Sequence, residues 1–224
     1  KMKVSDIREH FISELKNEKF TIDKTGAKTI ELIGASFTAD EPSIFGTPNQ
    51  EYIDKEIAWY KSMSNNINDI NKDGEPPAAW KYAASKHGEI NSNYGLLTMS
   101  EQYHNQLGNV ADELFRNPDS RRACMIYNRP SIWNEYDKGG MSDFICTNAV
   151  SYMIRDDKLI SVVQMRSNDV VYGYKNDYAW QLWMQKEVCD LINIQNDKTL
   201  VKPGDIYWQV QNLHVYEKHF NLVN

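Results

Sequence analysis

Two strand-like segments at residues 144–155 and 159–168, joined through the tight turn Asp156-Asp157-Lys158, constrain this chain more than any other feature. Their alternating side chains and short connection make them neighbours in one sheet. The same stretch also carries chemistry. Cys146 sits near its start, Arg166 and Ser167 at its far end, and Asp169 and Asp177 shortly beyond. A cysteine attacks as its thiolate, and a guanidinium within a few ångströms draws a thiol pKa from about 8.5 towards neutrality. Arg166 followed by a hydroxyl is also a common grip on phosphate, because the guanidinium meets two oxygens at once. Each residue has a plainer alternative. A free cysteine is often a small apolar filler, and an arginine at a strand end often forms only a surface ion pair.

Around this centre the pattern predicts an α/β or α+β arrangement, one large, mostly mixed sheet flanked by helices. Ser5 reads as the N-cap of an opening helix carrying Ile7, Phe11 and Leu15 on one stripe. A turn at residues 23–26 leads to a strand at 29–38, and a helix over 50–63 presents Ile53, Ile57 and Tyr60. Residues 64–78, rich in Asn, Asp, Gly and Pro, read as a surface insertion. A helix over 99–116, a strand over 121–127, a helix over 177–193 and a strand over 205–216 complete the set. With 224 residues, 41% of them hydrophobic, the chain suits a single domain spanning 1–224.

Composition narrows the function classes. A net charge of −6 argues against coating nucleic acid, which needs excess Lys and Arg. No run approaches the ~20 apolar residues of a membrane span, and the N-terminus does not read as a signal peptide. The expectation is a soluble protein of the cytoplasm, without membrane or nucleic-acid polymer as partner. Three widely spaced cysteines, Cys124, Cys146 and Cys189, form no C-x-x-C pair, so free thiols and no metal are expected. For Cys124 and Cys189 packing is the simplest role.

Other candidates are individually weak. Arg121 and Arg122 follow the turn Asn117-Pro118-Asp119-Ser120 and deliver two cations at a strand start, or simply a solvated edge pair. Glu56 shares a helix with Trp59 and Tyr60, where partial burial would raise its pKa; a solvated helix glutamate is the alternative. His214 and Tyr216 share a strand face and suit sugar hydroxyls, or a core pair satisfied by backbone groups. Asp177 and Asn176 stand where a helix cap is expected.

The ordered segments D-K-T-G from Asp23, E-I-A-W-Y from Glu56, E-I-N-S-N-Y-G ending at Gly95, N-P-D-S-R-R from Asn117 and M-S-D-F-I-C-T-N from Met141 continue into M-R-S-N-D-V-V-Y-G-Y-K-N-D-Y-A-W from Met165 and P-G-D-I-Y-W-Q-V-Q-N-L-H-V-Y from Pro203. Together they resemble the thymidylate synthase superfamily, in particular its bacteriophage deoxycytidylate hydroxymethylase branch. The resemblance implies a thymidylate synthase-like fold that dimerises through its sheet. It implies a one-carbon transferase using 5,10-methylenetetrahydrofolate, with Cys146 adding to C6 of a pyrimidine nucleotide. It further implies that Lys24, Arg166 and Ser167 hold the phosphate, with Arg121 and Arg122 reaching it across the dimer. Glu56 would organise water and proton transfer, Tyr94 would lie near the C5 proton, His214 and Tyr216 would hold the sugar, and Trp80 and Asp169 would contact folate.

Asp177 stands where thymidylate synthases carry asparagine, and an acid suits the reversed donor–acceptor pattern of cytosine, either as a protonated carboxyl or as a carboxylate facing an N3-protonated ring. The resemblance therefore implies dCMP as substrate and 5-hydroxymethyl-dCMP as product, with water capturing the transferred carbon. Reductive methylation of dCMP or dUMP and a catalytically silent nucleotide- or RNA-binding relative remain the alternatives. Thr147 replaces a histidine and Asp143 an apolar folate-side residue, both as in the hydroxymethylase pattern. The sequence ends at Asn224, short of the tail that closes over folate in family members, so closure here differs or a tail follows. The setting implied is the cytoplasm of a phage-infected bacterium, and association with other nucleotide-synthesis enzymes stays open.

Overall fold

The computed structural model describes residues 1–197 and 200–224. Its helices are α1 (Val4–Lys16), α2 (Gln50–Ser62), α3 (Ala78–Ala83), α4 (Tyr94–Met99), α5 (Gln106–Arg116), α6 (Ile132–Glu135) and α7 (Gly173–Gln195). The strands are β1 (Thr21–Ile22), β2 (Lys28–Thr38), β3 (Cys124–Ile126), β4 (Thr147–Arg155), β5 (Lys158–Asp169) and β6 (Lys202–Tyr216). They form one mixed sheet in the order β1-β2-β6-β5-β4-β3. Every neighbouring pair is antiparallel except β5 with β6. A parallel pair needs a crossover, and α7 supplies it. Trp180, Met184, Val188 and Ile192 of α7, four residues apart and buried, show why it stays on the sheet.

The hairpin expected from the alternation is present. Arg155 pairs with Lys158, leaving Asp156 and Asp157 as a two-residue loop with φ of 52° and 58°. Two positive φ values describe a turn whose twist matches the flanking strands, and aspartate tolerates that region better than most residues. One sheet face buries Val150, Tyr152, Val163, Met165, Trp208 and Val210. Residues alternating with these, among them Ser151, Met153, Val162 and Gln209, are less enclosed on the opposite face.

Several boundaries differ from expectation. Ser5 does not cap α1: Lys3 is the N-cap, and its N–H donates to the Asp6 carboxylate at 2.8 Å. Residues 64–78 are not a plain surface insertion, because Ile67 and Ile70 are buried and Trp59 Nε1 donates to the Asn66 carbonyl at 2.9 Å. The expected helix over 99–116 is broken at Ser100 and again at His104 and Asn105, whose φ values are 67° and 41°. The Asn105 side chain then caps α5 by accepting from Gly108 N–H at 3.2 Å. The strand expected over 121–127 shrinks to β3. α7 starts four residues before Asp177, so neither Asn176 nor Asp177 caps it. That role falls to Asp169, whose carboxylate accepts from the N–H groups of Val171, Tyr172 and Gly173 at 3.2, 2.8 and 3.3 Å.

An aromatic column ties these elements together. Tyr60 of α2 stacks on Tyr94 of α4 with centroids 5.2 Å apart, and Trp180 of α7 meets Tyr60 edge-on at 4.9 Å. Trp180 Nε1 donates to the Tyr127 hydroxyl at 3.1 Å. The stack requires α4 to approach α2 closely, and Gly95 permits it: a Cβ there would lie 1.7 Å from the Tyr60 carbonyl oxygen. Gly95→Ala should therefore cost about 3 kcal/mol or more, since backbone must move to relieve the overlap. Thermal melting should show a Tm drop of roughly 6–12 °C for a chain of this size; an unchanged Tm would refute this packing.

Candidate active site

The sheet topology collects most of the sequence candidates at one end. Thr147 opens β4 opposite Met165 of β5, Ser167 and Asp169 near the end of β5 pair with Asn212 and His214 of β6, and Tyr216 at the end of β6 pairs with Thr29 near the start of β2. The Asp23 turn carrying Lys24 leads into β2 at this same end. Within the turn, the Asp23 carboxylate accepts from Thr25 N–H at 2.7 Å and Ala27 N–H at 3.1 Å, leaving Lys24 exposed at its tip.

Cys146 lies immediately before β4, and its carbonyl accepts from Arg166 N–H at 2.9 Å. The Arg166 side chain donates to the carbonyls of Phe144 at 2.6 Å and Ile145 at 3.1 Å, and its Nη2 lies 3.7 Å from Cys146 Sγ. The expected pairing of thiol and guanidinium is thus present, but the expected drop in pKa is not. Burial pushes the thiol up to about 11; Arg166 opposes this, while Asp177 and Asp143 add to it. The thiol rests protonated, a correction to the expectation drawn from spacing alone. Asp143 is buried with both oxygens in use, accepting from Asn91 N–H at 2.7 Å and from Ser92 N–H and hydroxyl at 2.8 Å each. Its carboxylate thus fixes residues 91–92.

A second cluster faces the first. Glu56 is 6% exposed, and its Oε2 accepts from the Tyr52 hydroxyl and from Trp80 Nε1 at 3.2 Å. Burial raises its pKa, which these hydrogen bonds partly offset. Asp177 of α7 takes a 2.9 Å hydrogen bond from Asn168 Nδ2, and Asn168 Oδ1 accepts from Trp208 Nε1 at 3.2 Å. The indole fixes which way the Asn168 amide points, so Asp177 always meets its N–H₂ side. Burial first, then the charge of Glu56, pushes Asp177 well above the usual carboxylate range. Tyr94 is also buried, and its hydroxyl accepts from Thr147 Oγ1 at 2.8 Å.

His214 is 7% exposed and meets the Tyr216 ring at 4.9 Å, placing the pair on one face as their spacing predicts. Its Nδ1 lies 3.3 Å from the Asn212 carbonyl and 3.2 Å from the Asn212 side-chain oxygen; with Nδ1–H donated there, Nε2 keeps its lone pair. Burial lowers the imidazole pKa, keeping it neutral.

Arg121 and Arg122 are not brought to this cluster. They precede β3, whose Cys124 pairs with Ser151, five residues and roughly 17 Å along the sheet from Cys146. Both are exposed; Arg122 makes a loose ion pair with Glu113, at 3.5 Å. Cys189 is buried in the core, in keeping with a packing role.

Three side chains escaped the sequence reading. Tyr52 and Glu56 are four apart on α2, a spacing that signals contact, but Tyr52 falls in an otherwise polar first turn. Asn168 closes the expected strand over 159–168, and nothing in its spacing signals a partner. Thr147 stood out only as a replacement, with nothing to show that its hydroxyl reaches Tyr94.

The sheet has one parallel pair inside an otherwise antiparallel order, with a half-buried cysteine and arginine at one end. The thymidylate synthase of phage T4 superposes with a TM-score of 0.71 over 93% of this chain and 77% of its own, at 22% identity. The chain belongs to the thymidylate synthase family, whose model matches residues 10–224. Among its curated relatives, the deoxycytidylate 5-hydroxymethyltransferases of Enterobacteria phages T4 and T2 are each 52% identical over 223 residues, covering 100% of this chain and 90% of theirs.

A buried Glu56 and a half-buried Asp177 that feels its charge make the site a stability liability. In the unfolded chain Asp177 ionises near 3.8, whereas the fold keeps it protonated to higher pH. The resulting penalty is absent below pH 4 and grows as pH rises towards the folded pKa. Asp177→Asn keeps an oxygen for Asn168 and removes the acid, so it should raise Tm at pH 8 by a few degrees, about 2–4 °C per kcal/mol. The gain should vanish at pH 4. Equal effects at both values would contradict a buried neutral acid.

Proposed function

We propose that this chain is a deoxycytidylate 5-hydroxymethyltransferase, moving a one-carbon unit from 5,10-methylenetetrahydrofolate to C5 of dCMP and capturing it with water. The observation that carries the reading is Asp177, a carboxyl group that burial holds uncharged beside Asn168. Its O–H suits the N3 acceptor of cytosine and its carbonyl oxygen suits the N4 amino group; uracil presents the opposite pattern. The 52% identity to phage enzymes of that name supports it.

Cys146 adds to C6, making C5 nucleophilic towards the one-carbon unit. Because the thiol rests protonated, loss of its proton belongs to the addition step. Arg166, Ser167 and Lys24 hold the phosphate, and His214 and Tyr216 hold the sugar 3′-hydroxyl. Tyr94, joined to Thr147, stands by the C5 proton. Glu56 takes the proton of the attacking water. Folate supplies the carbon and leaves as tetrahydrofolate. Trp80, half-buried and edge-on to Trp59 at 5.1 Å, fits a flat heteroaromatic ring. Asp143 and Asp169, occupied by their own chain's N–H groups, serve that ring through the backbone they hold.

The chain acts as one catalytic domain and as a homodimer through the less enclosed sheet face, in the cytoplasm of an infected bacterium. Arg121 and Arg122 then complete the phosphate site of the other subunit, which their distance from Cys146 within one chain supports. Mixing a Cys146→Ser protein with an Arg122→Ala protein should restore activity after subunit exchange. No recovery despite confirmed exchange would remove the arginines from the site.

The product decides the reaction. With dCMP, methylenetetrahydrofolate and ¹⁸O-labelled water, mass spectrometry should find labelled 5-hydroxymethyl-dCMP. A 5-methyl product with dihydrofolate absorbance appearing would establish reductive methylation instead.

A further inference from the structure

Beside the buried acids lies a cleft of about 350 Å³ between α2 and residues 70–77, lined by Asn49, Tyr52, Lys55, Ile70, Glu75 and Pro77. Tyr52 belongs to both places. Its ring forms part of the cleft wall, and its hydroxyl donates to Glu56 Oε2. Trp80 Nε1 closes a triangle, donating to the Tyr52 oxygen at 3.1 Å and to Glu56 Oε2 at 3.2 Å. A carboxylate oxygen held by two donors from two helices has one orientation.

We infer that Tyr52 is a positioning residue for water capture, fixing Glu56 so that its carboxylate takes the proton of the water that adds to the transferred carbon. The inference rests on the hydroxymethyltransfer reading. In the step concerned, the water oxygen bonds to the exocyclic carbon and one water proton passes to Glu56. The exocyclic C=C electron pair forms C5=C6 as the C6–S bond breaks, releasing Cys146 as thiolate. Atoms and electrons balance with no further reactant.

The groups facing Glu56 are Tyr52 and Tyr60 from its own helix, Trp80 from α3 and Asp177 from α7. Of these, the Tyr52 hydrogen bond is the largest influence favouring the ionised carboxylate. Removing the hydroxyl takes the Tyr52 donor from Oε2 and leaves Trp80 Nε1 there. The carboxyl group is then freer to turn and stays protonated to higher pH.

Tyr52→Phe keeps the ring and deletes that hydroxyl. The kcat for 5-hydroxymethyl-dCMP should fall at least about tenfold while KM for dCMP changes by less than about twofold. The acid limb of the kcat profile should move to higher pH, which a merely structural role would not cause. A turnover-independent readout is the carboxyl C=O stretch of Glu56 in the infrared, assigned with Glu56→Gln; in Tyr52→Phe it should persist to higher pH. Should Tyr52→Phe not fold, 3,5-difluorotyrosine at position 52 retains shape and hydroxyl while changing hydroxyl acidity, and should also displace the limb. Unchanged kcat, limb and infrared titration would overturn the inference, whatever happens to Tm. If the unaltered protein makes no 5-hydroxymethyl-dCMP, the functional reading fails, and the infrared titration alone decides whether Tyr52 sets Glu56.

Discussion

The parallel pairing of β5 with β6 is the contact on which the rest of the structure depends. Its register sets Ser167 against Asn212 and Asp169 against His214, so residues more than forty positions apart in sequence meet at one sheet end. Because parallel neighbours demand a crossover, α7 must start beside that end, and Asp169 secures the start by holding the N–H groups of Val171, Tyr172 and Gly173 where the helix begins. Asp177 then lies one turn into the helix, facing Asn168. Antiparallel β5 returns from the Asp156-Asp157 turn along β4 and brings Arg166 back to Cys146. One register and one crossover thus bring a thiol, a cation and a half-buried acid to one end of the sheet.

That placement carries an electrostatic cost. Asp177 and Glu56 are both driven towards the neutral form by burial, and the charge of Glu56 disfavours ionisation of Asp177 further. Two buried acids whose environments differ are the usual means of separating acid and base roles. Here Tyr52 and Trp80 give Glu56 two donors, which favour its carboxylate, while Asp177 receives one from Asn168. In the proposed reaction the acid with more hydrogen-bond donors is the proton acceptor, and the other the hydrogen-bond donor to the cytosine ring. The same environment, burial above all, raises the pKa of the Cys146 thiol.

Much of this was legible in the sequence, for identifiable reasons. The β4–β5 hairpin announced itself through alternation and a tight turn, and α2 through its apolar stripe. The break between α4 and α5 did not, because no Gly or Pro marks Ser100, His104 or Asn105 and the apolar spacing runs on through Leu96, Met99, Tyr103 and Leu107. The start of α7 was misplaced because its capping carboxylate sits at a strand end and Gly173 is a poor helix former. Spacing brought Cys146 and Arg166 together but says nothing of depth, and depth decides the thiol pKa. Asn168, Tyr52 and the hydroxyl of Thr147 stayed hidden because their roles depend on partners that only folding supplies.

The central claim is that a neutral Asp177, turned by Asn168, reads cytosine. The most direct measurement is the ratio of kcat/KM for dCMP to that for dUMP, in the unaltered protein and in Asp177→Asn. Mismatching a buried donor–acceptor pair costs about 1–3 kcal/mol per unsatisfied group, and each 1.4 kcal/mol is a factor of ten. The account predicts that the preference for dCMP falls by at least about tenfold in Asp177→Asn. A ratio unchanged by the substitution would contradict it.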